Sequence, residues 1–250
     1  MNIAVCISVV PDSGANLSLA NFGNTVSFEN IPIVMNPFDE YAIEEAIRIK
    51  ERSGGNDVIH VITIGNSSAV HILRKALALG ADFAHHINGD NFIDSISIAK
   101  ILAGEIQELS CTVVLMGKQS IDYENAVVGP ATAQILGNNC ITSCTKISID
   151  GESVIAEKQI QGGTQMIESC LPIVLTVEKG LNSPRFPTLK GTLASKKKTI
   201  AVTSPEPWNT SLEQLNLEAT AENRHLQILP NDEASISLVA KLIGRETGLK

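Results

Sequence analysis

The chain has 250 residues and a formal net charge of −8, with 44% hydrophobic, 18% charged and 4% aromatic residues. This is an ordinary globular composition, and the chain is long enough for one large domain or for a domain with an appendage. The acidic balance and the scarcity of aromatic rings argue against a nucleic-acid partner. No apolar run approaches the roughly 20 residues that span a bilayer, so we expect no membrane insertion.

The amino terminus, MNIAVCISVVPD, lacks the basic start of a signal peptide, and we interpret Ile3 to Val10 as a first strand. The cysteines are odd in number and lie mostly in apolar contexts: Cys6, Cys111, Cys140, Cys144 and Cys170. Neither a histidine nor a second cysteine pair lies near Cys140 and Cys144 to complete a zinc site. We therefore expect reduced, buried cysteines, no metal site and a cytoplasmic location.

Short apolar runs alternate with amphipathic helical patterns over the first two-thirds of the chain. VIHVITI at 58–64 and TVVLMG at 112–117 are further strands, and helical patterns occupy 37–52, 67–80 and the residues after Asp94, a suitable N-cap. Continuous apolar strands that alternate with helices indicate a parallel sheet covered on both faces. Ligands of such sheets bind beyond the carboxyl ends of the strands.

The pattern changes after Gly137. Alternation in CITSCTKISIDGESVIAEKQI predicts antiparallel strands with a hairpin turn at Asp150 and Gly151, and TQMIESCLPIVLTVEKG predicts a further strand pair. A short basic helix follows, and then a polar stretch interrupted by prolines, with a helical pattern at the end. We expect an α/β domain over 1–203 and a C-terminal arm over 204–250, in which Trp208 and spaced leucines favour docking on another surface.

The segment IVMNPFDEYAIEEAIRIKE, which opens the 37–52 helix, has two interpretations. Asn36 suits an N-cap, Pro37 is preorganised for the first helical position, and Asp39 suits the helix dipole. However, the helix also begins at the rim where SVVPD, GNSS and GKQSIDYENAVVGPATA follow three strands. Capping and a ligand-facing role both stay open on the residues alone.

The segment after the third strand is the strongest candidate for a binding site. Gly129 and Pro130 lie at the start of a helix, so N–H groups around Ala126 to Gly129 would point outward and form an anion site. Asp122 and Glu124 oppose this unless they point elsewhere, and an ordinary strand-to-helix turn explains the same residues.

Several catalytic signatures are absent. The chain has no GxGxxG after the first strand, no GxxxxGK[ST] and no GxSxG. His60 lies in mid-strand and is expected in the core, whereas His85 and His86 are expected to be solvated at a strand edge. We therefore predict a nucleotide-type anion site and no catalytic residue.

Five motifs occur in the order and spacing of the β subunit of electron transfer flavoprotein, which this chain resembles over nearly its whole length. They are MNPFDEYAIEEAIRIKE, RKALALGAD, GKQSID…VGPATA, LPIVLTVEKGLNSPRFPTLKG and ASKKKTI, and the resemblance thins after about Ser204. The resemblance implies an adenine nucleotide α-hydrolase-like, Rossmann-like fold. It also implies a heterodimer with an α subunit, an FAD held mostly by that subunit, and a structural AMP. The chain would be an electron carrier with no substrate turnover of its own.

The resemblance also implies where the nucleotide binds: the end of the first strand, the MNPF turn, the end of the second strand, and the loop after the third. On this sequence the residues are Cys6, Asn36, Pro37, Phe38, Asp39, Ile64, Asp122, Tyr123, Glu124, Asn125, Ala126, Val127, Val128, Gly129, Pro130, Ala131, Thr132 and Ala133. The loop that engages flavoprotein dehydrogenases corresponds to 181–194, with Pro184, Arg185 and a protruding Leu189 as contacts. The Lys196–Lys198 run beside it could steer acidic partners.

Departures from the family pattern leave alternatives. Several relatives carry an aromatic residue where Ser13 follows Asp12. One branch binds a second FAD in place of AMP and bifurcates electrons, and its loop often has small residues where this chain has Tyr123 and Glu124. We favour AMP over a second FAD. A stand-alone nucleotide-binding protein or adenylate-chemistry enzyme is the least favoured reading, because SGGxDS is absent and the similar SGGND at 53–57 precedes a strand.

Overall fold

The structure is a computed structural model that describes residues 1–20, 25–27, 31–89, 94–204, 212, 215–218 and 227–247. The chain divides into two units, Met1–Leu217 and Glu218–Lys250. The second unit contains a helix at Glu233–Thr247. The division into 1–203 and 204–250 and the packing of the arm on a partner stay predictions, and Trp208 lies outside the described residues.

Thirteen strands and six helices are described in the chain. The strands are β1 (Asn2–Cys6), β2 (Val9–Pro11), β3 (Ser18–Ala20), β4 (Thr25–Ser27), β5 (Ile33–Met35), β6 (Val58–Gly65), β7 (Phe83–Asn88), β8 (Val113–Gly117), β9 (Asn139–Asp150), β10 (Ser153–Ile160), β11 (Gly163–Cys170), β12 (Ile173–Val177) and β13 (Ile200–Thr203). The helices are α1 (Pro37–Arg52), α2 (Ala69–Leu79), α3 (Ser95–Glu108), α4 (Val128–Leu136), α5 (Leu189–Ser195) and α6 (Glu233–Thr247).

Nine strands form one sheet in the order β11-β10-β9-β12-β8-β1-β6-β7-β13. The strands from β9 to β13 in that order run parallel, and β10 and β11 extend the sheet with antiparallel pairings. The predicted α/β fold with a parallel core and an antiparallel extension is confirmed. The hairpin turn between β9 and β10 contains Gly151 with φ of 58°, as the Asp-Gly pair predicts.

The sheet is covered on both faces because its central strands are apolar on both sides. Ile3 and Val5 of β1 pack in one cluster with residues of α1 and α2. Ala4 and Cys6, which alternate with them, pack in a second cluster with residues of α3 and α4. At the start of α3, the Asp94 side chain accepts the N–H groups of Ile96 and Ser97, which confirms Asp94 as the N-cap.

Two expectations about the strands are wrong. The predicted first strand is two strands, because the chain leaves the large sheet after Cys6 and β2 pairs with β5 instead. His85 and His86 lie within β7, between β6 and β13, and His86 is 4% exposed. They are not solvated, because His85 contacts the Glu105 carboxylate of α3 at 3.0 Å and the His86 ring contacts the carbonyl oxygen of Gly65 at 2.8 Å.

All five cysteines are free, but not all of them are buried as expected. Cys6, Cys111 and Cys144 are buried, whereas Cys140 and Cys170 are exposed. In the described part of the chain, no helix is long and apolar enough to cross a membrane. No group of three or more His, Cys, Asp or Glu residues in the described ranges is arranged to hold a metal ion. The cytoplasmic location stays a prediction.

Candidate functional site

Three of the predicted binding segments meet at the carboxyl ends of β8, β1 and β6, which are neighbours in the sheet. We call the end residues of these strands, with 36–39 and 117–129, the strand-end rim. The Thr63 hydroxyl of β6 donates to the carbonyl oxygen of Ile7 at 2.7 Å, so the ends of β6 and β1 are joined. Cys6 is buried and Ile64 is half-buried at these ends. Their side chains provide apolar surface at the rim.

Asp39 holds this rim together. One carboxylate oxygen accepts the N–H of Ser8 at 2.7 Å, and the other accepts the N–H of Gly117 at 2.7 Å. The first turn of α1 is therefore bonded to the ends of both β1 and β8. Burial raises the pKa of Asp39 to about 7, and it outweighs the two N–H bonds, which act in the opposite direction.

Asn36 occupies the N-cap position of α1, but its side chain makes no cap bond. Its side-chain N–H donates instead to the carbonyl oxygen of Gln119 at 2.9 Å, across the rim. This bond fixes the orientation of the amide, because the opposite orientation would place two acceptor oxygens together. The Asn36 Oδ1 atom is consequently buried with no donor in the protein.

Two other buried side-chain oxygens among the described residues lack a partner, those of Thr112 and Asn182. Thr112 precedes β8 and so lies at the amino end of that strand, away from the rim. Asn182 lies in the chain after β12 and donates to the carbonyl oxygen of Tyr41 in α1. Within the described residues, Asn36 is the member of this set that belongs to the rim.

Gly117 is required by the close approach of α1. A Cβ at this position would lie 2.5 Å from the Asp39 carboxylate and 2.6 Å from the Phe38 Cβ. The next residue, Lys118, places its ammonium 5.2 Å from the centroid of the Phe38 ring and pairs with Glu178. Pro37 is exposed and Phe38 is half-buried. The MNPF turn is therefore held against the end of β8.

The loop between Gly117 and α4 is open to solvent. The side chains from Asp122 to Val127 are exposed, and the backbone is left-handed at Glu124 (φ 52°) and Ala126 (φ 54°). Non-glycine residues rarely adopt this conformation, and it often marks functional loops. Asn125 donates from its side chain to the Ser95 hydroxyl at 2.7 Å, so the loop is also bonded to the start of α3.

The start of α4 has the features of an anion site. The N-cap residue, Val127, has no side chain that can accept an N–H, so the first-turn amides have no side-chain cap. The N–H of Ala131 donates to the carbonyl oxygen of Val127, and Pro130 has no N–H. The Val127 N–H already donates to the Asn125 side-chain oxygen at 3.5 Å, so the amides left for an anion are those of Val128 and Gly129.

The other predicted residues between Asp122 and Ala133 lie around the start of α4, some of them buried and some of them exposed. Thr132 and Ala133 are buried, and the Thr132 hydroxyl donates to the carbonyl oxygen of Val128. A Cβ at Gly129 would lie 2.3 Å from the Thr176 side chain of β12. The close packing of α4 on the sheet leaves no room for a side chain at Gly129. Only its backbone can therefore contact a ligand. The Asp122 carboxylate accepts the N–H of the adjacent Tyr123 at 2.8 Å and does not cap α4.

Comparison with known proteins identifies the family of the chain. The family model of the electron transfer flavoprotein domain matches residues 25–208. The electron transfer flavoprotein subunit beta of Thermoanaerobacterium thermosaccharolyticum is 35% identical over 236 residues, which cover 93% of this chain and 90% of that protein.

Two other relatives carry the same description. The electron transfer flavoprotein subunit beta of Bradyrhizobium diazoefficiens is 31% identical, over 80% of each chain. A probable electron transfer flavoprotein subunit beta of Schizosaccharomyces pombe is 36% identical, over 72% of each chain. The chain belongs to the electron transfer flavoprotein β-subunit family. The resemblance drawn from its motifs is confirmed, and with it the class of electron-transport flavoproteins.

In this electron transfer flavoprotein chain, the residues predicted to bind a dehydrogenase lie on the segment that leads into α5. Arg185 is bonded to α1, where its guanidinium contacts Glu44 at 2.8 Å and Glu51 at 2.6 Å. Burial alone would raise the pKa of Glu44, but hydrogen bonds from Arg185 and Arg48 outweigh it and lower that pKa. Arg185 therefore fixes the segment, and Pro184 is half-buried beside it.

Leu189, the first residue of α5, is 78% exposed, as a protruding anchor requires. The sequence reasoning missed Phe186, which is 92% exposed, and Leu193, which is 56% exposed. We call Phe186, Leu189 and Leu193 the α5 apolar surface. The signal that could have found Phe186 is its position between two prolines in SPRFPT, where no element buries it.

Proposed function

We propose that the chain is the β subunit of a heterodimeric electron transfer flavoprotein. With an α subunit it holds an FAD, accepts electrons from flavoprotein dehydrogenases and passes them to a respiratory or other redox acceptor. The family supports this proposal, and the exposed α5 apolar surface supports a transient docking partner. The FAD supplies the electron-transfer chemistry when bound, whereas the β chain provides docking surface and a structural nucleotide site.

Asn36 is the observation that carries the nucleotide part of the proposal. A buried acceptor without a donor costs about 1–3 kcal/mol, so its neighbourhood favours a ligand that donates. An adenosine compound offers such donors in its exocyclic amine and its ribose hydroxyls. The uncapped amides of Val128 and Gly129 suit its phosphate.

The rest of the rim fits the same compound. Cys6, Ile64 and Phe38 supply apolar surface for a base, and burial raises the pKa of the Cys6 thiol, which therefore stays neutral beside that base. Asp39 uses both oxygens on Ser8 and Gly117, so its carboxylate is engaged by the protein rather than by a ligand. We propose AMP as the occupant, with the Asn36 carbonyl and the start of α4 as its polar contacts.

Co-expression with an α subunit tests the proposal. We expect a yellow heterodimer whose flavin is reduced by at least one flavoprotein dehydrogenase and reoxidised by an electron acceptor. A colourless monomer that turns over nucleotides would overturn it in favour of a stand-alone nucleotide enzyme. Two flavins per heterodimer would instead replace AMP by the second FAD of the bifurcating type.

A further inference from the structure

A cationic cleft of about 470 Å³ lies between α2 and the α5 segment, and none of its lining residues belongs to the strand-end rim. His71, Arg74 and Lys75 line it from α2, and Lys196 lines it from the residue after α5. Ala78 and Pro187 contribute apolar wall. The volume is within the range of sites that enclose a side chain or a small ligand.

The walls of this cleft are fixed by close packing. A Cβ at Gly191 of α5 would lie 2.3 Å from the carbonyl oxygen of Ala78 in α2, so the two helices meet at van der Waals contact. Arg74 donates to the carbonyl oxygens of Ser195 and Lys198, and Lys198 donates to the carbonyl oxygen of Ala81 at 2.5 Å. The cleft is therefore part of the fold and does not depend on a partner for its shape.

The charges of the cleft are only partly balanced. Lys75 pairs with Glu40 at 2.6 Å, so its charge is compensated. Arg74 bonds to neutral carbonyl groups, which leave its positive charge uncompensated. Lys196 is exposed and has no acidic partner within the described residues. A chain with a net charge of −8 thus keeps two uncompensated cations together in a concave site.

The cleft adjoins the α5 apolar surface. Leu189 and Leu193 are four residues apart and lie on one face of α5, while Thr192, Ser195 and Lys196 face the cleft. Pro187, which lines the cleft, directly follows Phe186 in the chain. A protein that covers the exposed leucines would therefore bring its own side chains to the mouth of the cleft.

We infer that the cleft receives an aspartate or glutamate side chain of the dehydrogenase that docks on the α5 apolar surface. This inference rests on the proposed function and names the second, ionic half of the docking site. Charge complementarity selects an acidic protein segment, and the adjacent apolar surface places that segment on the same partner. Lys196 forms an ion pair with the carboxylate, and the positive charge of Arg74 in the cleft wall also attracts it.

Reversal of the charge at Lys196 tests this assignment in the assembled heterodimer. We expect Lys196→Glu to raise the KM for the heterodimer in the dehydrogenase assay by about five- to tenfold at low ionic strength, with kcat unchanged and the effect largely lost at about 0.5 M salt. Lys197→Glu is the matched control, because Lys197 is exposed and adjacent but does not line the cleft. We expect Lys197→Glu to change this KM by at most about twofold.

Carbodiimide coupling, which joins an amine to a carboxylate as an amide, identifies the occupant. We expect mass spectrometry to find Lys196 joined to an acidic residue of the dehydrogenase, and the product to be absent in Lys196→Met. Equal kinetic effects of Lys196→Glu and Lys197→Glu, or coupling at Lys197 alone, would overturn the inference. A wild-type heterodimer that no dehydrogenase reduces would instead overturn the proposed function.

Discussion

The strand-end rim and the α5 segment with its cleft are built in opposite ways. At the rim, buried polar groups bond to the main chain of neighbouring segments, and the Asp39 carboxylate bonds the first turn of α1 to the residues that end or follow β1 and β8. Along α5, exposed side chains such as Leu189 lie on a helix whose packing depends on small residues such as Gly191. A change at the rim should therefore affect folding and ligand together, whereas a change on the surface of α5 should affect partner binding alone.

The largest effect is expected for Asp39→Ala. The substitution leaves the buried N–H groups of Ser8 and Gly117 without their acceptor, which lowers the free energy of unfolding by about 2–5 kcal/mol. We expect loss of AMP with it, since the MNPF turn is no longer fixed to β8. Urea denaturation and nucleotide analysis of the purified heterodimer check both effects. Unchanged stability would show that Asp39 does not hold the rim.

The next effect is expected for Gly117→Ala, because its Cβ meets Asp39 and Phe38 at less than 3 Å. We expect a loss of about 1–3 kcal/mol in the free energy of unfolding and weaker nucleotide binding. Gly104→Ala, in the exposed middle of α3, is the control, since no atom lies within 4 Å of its Cβ. The control should be neutral or stabilising by up to about 1 kcal/mol. Equal behaviour of the two variants would contradict the close approach at Gly117.

A smaller effect is expected in the pH dependence of stability. Burial raises the pKa of Asp39 in the folded protein to about 7, above its value in the unfolded chain. The carboxyl therefore contributes most stability below the unfolded pKa, and this contribution is lost as pH rises through about 7. In urea titrations, we expect the free energy of unfolding of the wild type to exceed that of Asp39→Asn by less at pH 8 than at pH 5. A difference that grows over this range would contradict the assignment.

The smallest effect on stability, within about 0.5 kcal/mol, is expected for Leu189→Ala, because the side chain is mostly solvated. Electron acceptance from dehydrogenases should nevertheless slow by about tenfold, since the anchor of a transient interface is lost. Leu189→Met keeps the apolar volume and should restore most of the rate. Stopped-flow reduction of the flavin measures both variants. Unchanged rates with several dehydrogenases would remove Leu189 from the docking site.

Local patterns predicted those parts of the fold that depend on local chemistry. The 37–52 helix matches the bounds of α1, Asp94 caps α3, and the Asp-Gly turn joins β9 and β10. The burial of His85 and His86 could not be predicted in this way. It depends on contacts with other elements, namely Glu105 of α3 for His85 and the carbonyl oxygen of Gly65 for His86.

The candidate site, like the fold, has features that the sequence predicted and features that it could not predict. The predicted parallel sheet placed the loops after β1, β6 and β8 on one rim, because parallel strands end on one edge of a sheet. The sequence could not show that the Asn36 side chain turns from the helix toward Gln119, or that Asp39 is used by the protein. The sequence predicted an outward-pointing N–H group at Gly129, and the structure adds that the Cβ position of this residue faces Thr176. Substitution there would disturb the packing of α4 and is not a clean test of binding.

Acid denaturation of the purified wild-type heterodimer, followed by chromatography of the released nucleotides, tests the central claim most directly. The rim, with the Asn36 carbonyl lacking a donor and the α4 amides uncapped, predicts one AMP per heterodimer. The proposed function adds one FAD per heterodimer. Release of FAD with no AMP, or of two FAD, would contradict the assignment of AMP to this rim.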